Sequence, residues 1–250
     1  MITSIDDHSR DLLYADLWKK ETSWSHIMAA KSVVMSFGCP LKYYVDNHAI
    51  FRFIERRDTM HMKATMNEED AFVQWKEVLK DLNIEVIYAL SPAAKGKVER
   101  PYRWLQDHLV RTCVREGVTK IEQGREILFR ELNQYRFHRV HSTTKEIPNM
   151  RLEKAIEEKR SMFRPFTIRP PFQTAEDIFC YRHKRMLDAY RRVSFNNLVF
   201  SLHGVPIGEY VELRISFNLK TRMATIRFWY KNKLVDQKEV KGEDLKKVRF

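Results

Sequence analysis

Apolar and polar residues alternate along this chain in two rhythms, and the change from one to the other divides it. Apolar runs at 1–5 and 11–17 flank the polar bend DDHSR, which predicts two strands, or a strand and its return. The pattern starts abruptly, inside a sheet rather than before one. In SWSHIMAAKSVVMSFG, Ile27, Ala30, Val34 and Phe37 recur at helical spacing and Gly38 supplies a natural C-terminal stop. A short strand is expected in LKYYVDN, ending at Asp46 and Asn47, before an irregular excursion over 51–67. Phe72, Trp75, Leu79 and Leu82 form one face of a helix with acids in its first turn, IEVIYAL reads as a strand, and a further helix carries Glu99 toward Gly117. Helix and strand in alternation predict an α/β layer arrangement.

Helical spacing continues through GREILFRELNQYRFHRVH and MRLEKAIEEKRSMF. From Ser161 to Arg192 the chain turns basic, and Pro165, Pro170 and Pro171 favour extended backbone, as in a linker. Beyond it VSFNNLVF, YVELRISF, MATIRFWY and LVDQKEV alternate as short strands between NN, HGVPIGE, NLKT and KNK turns, the pattern of a small β-barrel. The resulting division is 1–135, 136–190 and 191–250.

A hydrophobic fraction of 44% over 250 residues supports a real core, and the formal net charge of +12 points to a polyanionic partner, nucleic acid before membrane. The three cysteines, Cys39, Cys113 and Cys180, form no CxxC pair, so neither a disulfide framework nor a four-ligand zinc site is expected, and a cytoplasmic setting fits. His138 and His141 form an HxxH with no matching Cys or His pair at a useful distance, and read as ordinary residues. No apolar window is long enough to span a bilayer, and Asp6 and Asp7 arrive too early for a signal peptide.

Glu99 lies among Lys95, Lys97, Arg100 and Arg103 at the mouth of its helix, where the helix dipole favours anions and so does not explain the cations. Asp46 ends an apolar strand, and Pro101 supports a helix start beside Glu99. A strand end and a nearby helix start can bring two carboxylates together at a sheet edge. Such a pair is either separately solvated or holds a divalent cation, and Mg²⁺ is held by one or two carboxylates together with substrate phosphate. Phosphate contacts would then fall to the surrounding cations.

YVDNHAIF and KGKVERPYRWLQDHL resemble the aspartate and glutamate segments of the retroviral-integrase-core superfamily, which includes bacterial insertion-sequence transposases. IDDHSR looks like that core's second strand, NQYRFHRVHSTTKEIPNMRLEKA looks like the tract that follows it, and the likeness covers about residues 1–155. The terminal barrel is similar to the one that follows the core in such transposases. The resemblance implies an RNase H-like α/β core, incomplete at its N-terminus, then a helical and basic linker and the small barrel. It also implies metal-dependent DNA cleavage and strand transfer with two Mg²⁺ or Mn²⁺ ions, and assembly as a homo-multimer on element ends and target DNA. Asp46 and Glu99 would be the second and third acids of a DDE triad, 53 positions apart, with the 51–67 excursion accounting for the long spacing. Lys95, Lys97, Arg100 and Arg103 would contact DNA, and Lys231 and Lys233 with Arg227 are further candidates in the barrel. The family's first aspartate would lie on a strand upstream of Met1; Asp6 and Asp7 are the substitutes within the chain. The alternative is a catalytically inactive DNA-binding remnant or regulatory fragment of a transposase.

Overall fold

The computed structural model describes residues 1–45, 74–88, 96–245, 248 and 250, with the backbone alone at 96–100. They form a mixed α/β protein that divides into two compact units. The first comprises Met1–Glu21, Met28–Asn47 and Ile84–Phe166, and the second Thr22–Ile27, His48–Asn83 and Thr167–Phe250.

In the first unit, β1 (Ile2–Ile5) and β2 (Leu12–Asp16) pair antiparallel around the expected polar bend. Adjacent residues of a strand point to opposite faces, and in β2 both faces are covered. Leu12 belongs to a cluster with Leu105, Leu109, Ile127, Leu128, Leu132 and Tyr135, whereas Leu13 packs with Val33 and Leu152. The helices supplying these side chains are α3 (Gly96–Arg115) and α4 (Ile121–Phe137) for the first cluster, and α1 (Ser23–Phe37) and α5 (Pro148–Glu157) for the second. Burial of a strand on two sides by helices is the layer arrangement that the alternation predicted.

Local chemistry sets the ends of these elements. Thr22 and Ser25 cap the start of α1 reciprocally, the Ser25 amide donating to Thr22 Oγ1 at 3.2 Å and the Thr22 amide to Ser25 Oγ at 3.0 Å. At its end Gly38 has φ +93°, and a Cβ there would fall on the Arg164 carbonyl oxygen. That close approach allows Cys39 and Arg164 to exchange backbone hydrogen bonds of 2.7 and 2.8 Å. Pro101 lies inside α3 rather than in its first turn, because the helix begins at Gly96. Its ring removes one interior hydrogen bond, which the buried contacts of the following turns offset.

Six strands and a short helix, α6 (Ala175–Ile178), build most of the described part of the second unit. β5 (Tyr181–Met186), β8 (Tyr210–Asn218), β9 (Met223–Tyr230) and β10 (Lys233–Lys241) form an antiparallel sheet in the order β10-β9-β8-β5. β6 (Arg192–Phe195) and β7 (Leu198–Ser201) form a separate hairpin whose Asn196 and Asn197 both have positive φ, as a two-residue turn requires. Among the described residues these strands make two sheets rather than one closed barrel. Tyr181–Met186, expected as linker from its basic composition, is a sheet strand, because three of its six residues face an apolar core through Ile215, Leu213 and Val211. Helix α2 (Gln74–Asp81) also belongs to this unit, with Trp75, Val78 and Leu79 buried.

Two charged or titratable groups should report on stability. Arg136 clasps the fully buried Asp11 with two bonds of 2.9 Å, and burial pushes the Asp11 carboxyl up despite that partner. Arg136→Met would leave a buried carboxylate unpaired and is expected to destabilise the fold by about 3–5 kcal/mol, whereas Asp11→Leu with Arg136→Met should recover much of the loss. Urea denaturation of the single and double variants checks this. In the second unit His183 packs on Phe195, with ring centroids 4.8 Å apart, and burial pushes its imidazole down to about 4. A lowered histidine pKa means that the unfolded chain takes up the proton first, so stability should fall as pH drops from about 6.5 toward 4. About 2 kcal/mol of this loss is expected by pH 5, and His183→Gln should flatten the slope in melts at pH 7 and pH 5.

Candidate functional site

Strand β3 (Lys42–Val45) and strand β4 (Glu85–Tyr88) run parallel and in register, Lys42 opposite Glu85 and Val45 opposite Tyr88. An ion pair of 2.9 Å between Lys42 and Glu85 lies at their entry end. The chain therefore leaves both strands at one level, and in open α/β sheets ligands gather beyond such carboxyl ends. Asp46 is the residue after Val45, and Glu99 is the fourth residue of α3, the next element after β4. α3 is seated by Leu105 and Leu109 in the core. Asp46 and Lys95 lie outside the described residues, as do the side chains of Lys97, Glu99 and Arg100. Arg103 is exposed on α3.

The two substitute acids sit in the β1–β2 turn. Asp6 Oδ2 accepts hydrogen bonds from the Ser9 amide and hydroxyl, both at 2.7 Å, while Asp7 pairs with Arg10 at 2.7 Å. Among the described residues no three histidine, cysteine or acidic side chains cluster as a metal site, and no helix is long and apolar enough to cross a membrane. His138 ends α4, and His141 Nδ1 accepts from the amides of Thr143 and Thr144.

Aromatic residues near the glutamate helix serve packing. Trp104 leans on the first core cluster, lies 5.2 Å from the Tyr135 ring and is covered by the Arg139 guanidinium at 4.4 Å. In the second unit Arg227 is nearly enclosed: it bonds Thr174 and Gln237 and pairs with Asp177 at 3.2 Å. Lys231 and Lys233 are exposed, Lys231 standing over the Tyr230 ring.

A second feature was not legible in the residues. Arg182 and Arg214, each about nine-tenths enclosed, share the Asp81 carboxylate at 2.7 and 3.3 Å, and Arg214 also pairs with Glu212 at 2.6 Å. Arg214 stacks over Phe172 and Trp229 as well. Spacing could not have revealed this group, because its members come from α2, β5 and β8, more than 100 residues apart in part.

No protein-family profile matches the chain. A protein of Sinorhizobium fredii that carries the transposase name y4bF is 26% identical over 219 residues, 85% of this chain and 42% of that protein. The transposase for insertion sequence IS1202 of Streptococcus pneumoniae is 26% identical over 125 residues, 50% of this chain and 26% of its own length. Among solved structures, the simian T-cell lymphotropic virus intasome in complex with PP2A regulatory subunit B56 gamma aligns over 96% of this chain and 68% of the matched chain, with 14% identity and a TM-score of 0.44. The chain is similar in sequence to bacterial transposases, as its aspartate and glutamate segments led one to expect, and it spans less than half the length of the curated relatives it matches.

Proposed function

We propose that this chain is the catalytic and C-terminal part of a DNA transposase of the retroviral-integrase-core type, with an RNase H-like core and a DDE mechanism. The observation that carries the reading is the parallel, in-register pair β3–β4, with Asp46 directly beyond one strand and α3, which bears Glu99, following the other. Similarity to a transposase-named protein over 85% of the chain supports it.

The donor set fits a hard divalent cation: Asp46 and Glu99 offer carboxylate oxygens, the ligands that Mg²⁺ and Mn²⁺ prefer. A bound ion would supply charge neutralisation and a polarised oxygen nucleophile for phosphodiester cleavage and joining. Asp46 and Glu99 would hold it, while Lys95, Lys97, Arg100 and Arg103 would steer the phosphate backbone and set its register. The net charge of +12 favours that association from a distance. Asp6 and Asp7 are engaged within their own turn, which argues against either as the first acid of the triad. Among the described residues β1–β2 and β3–β4 are separate two-stranded sheets. The engagement of Asp6 and Asp7 in their own turn favours a second reading, a DNA-binding remnant that no longer cuts. Self-association on paired DNA ends, as such transposases show, belongs to the first reading.

Metal binding tests the assignment of the acids. Saturating Mg²⁺ or Mn²⁺, at about 100 times the dissociation constant, should stabilise the chain by about 2.7 kcal/mol, which raises the melting temperature by about 5–11 °C. Asp46→Asn combined with Glu99→Gln should abolish the shift. Equal shifts in wild type and double variant would remove both residues from the metal site.

A further inference from the structure

In the second unit, the sheet face opposite Val211 and Leu213 is closed at one end and open at the other. Arg182, Lys184 and Met186 on β5 pair with Arg214, Glu212 and Tyr210 on β8. Trp229 and Arg227 on β9 pair with Glu212 and Arg214, so these side chains share that one face. At the closed end Arg182 and Arg214 bond Asp81 of α2, and Arg227 bonds Thr174 and Asp177 at the start of α6. The Gln74 amide closes the edge of β5 there, donating to the Arg182 carbonyl at 2.8 Å and accepting from the Arg182 amide at 2.7 Å. Phe172 meets the buried Trp229 edge-on.

One pair farther along the strands the cover ends. Met186 is exposed and Tyr210 is 64% exposed, although both sit at paired sheet positions. Ile207 is exposed at the same end, where the adjacent Gly208 amide donates to the Leu187 carbonyl at 3.0 Å. Tyr190 follows Leu187 by three residues, which keeps their Cα atoms within about 11 Å. It is 77% exposed, with the Arg192 guanidinium 4.7 Å from its ring centroid.

Charge at this end favours an anion. From Lys184 to Arg192 the chain carries Lys184, Arg185, Arg191 and Arg192 against Asp188 alone. Asp188 pairs with Arg192 at 3.2 Å, Glu212 with Arg214 at 2.6 Å, and Glu209 is coupled to Lys231. Lys184 and Arg191 are exposed, and the β9–β10 turn brings Lys231 and Lys233 to the same end of the sheet. Exposed rings beside a thioether and among cations suit a polyanion that also carries flat apolar faces. An unpaired DNA strand has both, phosphates for the cations and free base faces for the rings. A duplex stacks its base faces inward and offers only backbone and base edges.

We infer that Tyr190, Tyr210 and Met186, with Lys184 and Arg191, form a binding site for unpaired DNA in which bases stack on the two tyrosines. The inference rests on the reading that the chain acts on DNA, though not on its two acids. On it, the C-terminal sheet selects separated strands by stacking, beyond the general attraction of a basic chain for duplex DNA.

The test measures, by fluorescence anisotropy at fixed salt, binding of the full chain to a labelled oligothymidylate of about 15 nucleotides and to a duplex of equal length. Tyr210→Ala and Tyr190→Ala should each weaken the single strand about tenfold and change duplex affinity less than about twofold. Tyr210→Phe, which keeps the ring, should bind the single strand as the unaltered chain does. Lys184→Gln should weaken both DNAs and flatten their salt dependence. Unaltered single-strand affinity in a Tyr190→Ala, Tyr210→Ala double variant would overturn the site; retained duplex binding would then leave the DNA reading standing. A chain that binds neither DNA would overturn both. Displacement of the single strand by polyglutamate as readily as by unlabelled oligothymidylate would also overturn the site, because charge alone would then account for binding.

Discussion

Parallel pairing of β3 with β4 is the constraint on which the functional reading depends. Two parallel strands cannot be joined by a tight turn, so the chain must travel from the end of one to the start of the other. Here it does so through α2, and it then continues from the end of β4 into α3. With Val45 opposite Tyr88, both exits open at one level. Asp46 directly follows the exit of β3, and the glutamate helix is the next described element after β4, although 53 positions part the two acids in sequence. The expected excursion over 51–67 lies outside the described residues.

Elsewhere in the first unit the packing is organised on β2. The two-sided burial of β2 gathers α3 and α4 on one face and α1 and α5 on the other. The Asp11–Arg136 clasp ties the β1–β2 turn to α4, and Tyr135 donates from the same helix to the Arg10 carbonyl at 3.2 Å. In the second unit the corresponding order comes from charge and aromatic contact. Arg182 and Arg214 share Asp81, and Trp24 stacks with Tyr181 at 5.6 Å and meets Phe250 edge-on at 5.4 Å. Trp24 also donates its backbone amide to the Tyr181 hydroxyl. Segments from early in the chain are in this way held by side chains from late in it.

Local signals made much of this legible. Helical spacing located α1, α4 and α5, and the β-branched run around Val86 and Ile87 located β4. The asparagine pair between Phe195 and Leu198 marked a hairpin whose turn requires positive φ. Where reading failed, the deciding partner was remote. The charges of Tyr181–Met186 suggested solvent, but alternate residues of that strand face the buried side chains of β8. Arg227 looked available for DNA until Thr174, Asp177 and Gln237 surrounded it. The glutamate segment was readable for a different reason, since its cations contradict the helix dipole and so call for an explanation. No such local contradiction marks Gln74, whose amide becomes informative only beside the backbone of Arg182.

The central claim is that Asp46 and Glu99 serve DNA cleavage and joining. Its most direct test is transfer of a labelled DNA 3′ end with Mn²⁺, by this chain and by a version extended upstream in the same reading frame, each with and without Glu99→Gln. The account predicts joined product in the extended version and its loss on Glu99→Gln. Product that survives both Glu99→Gln and Asp46→Asn, or no product from either version, would contradict it.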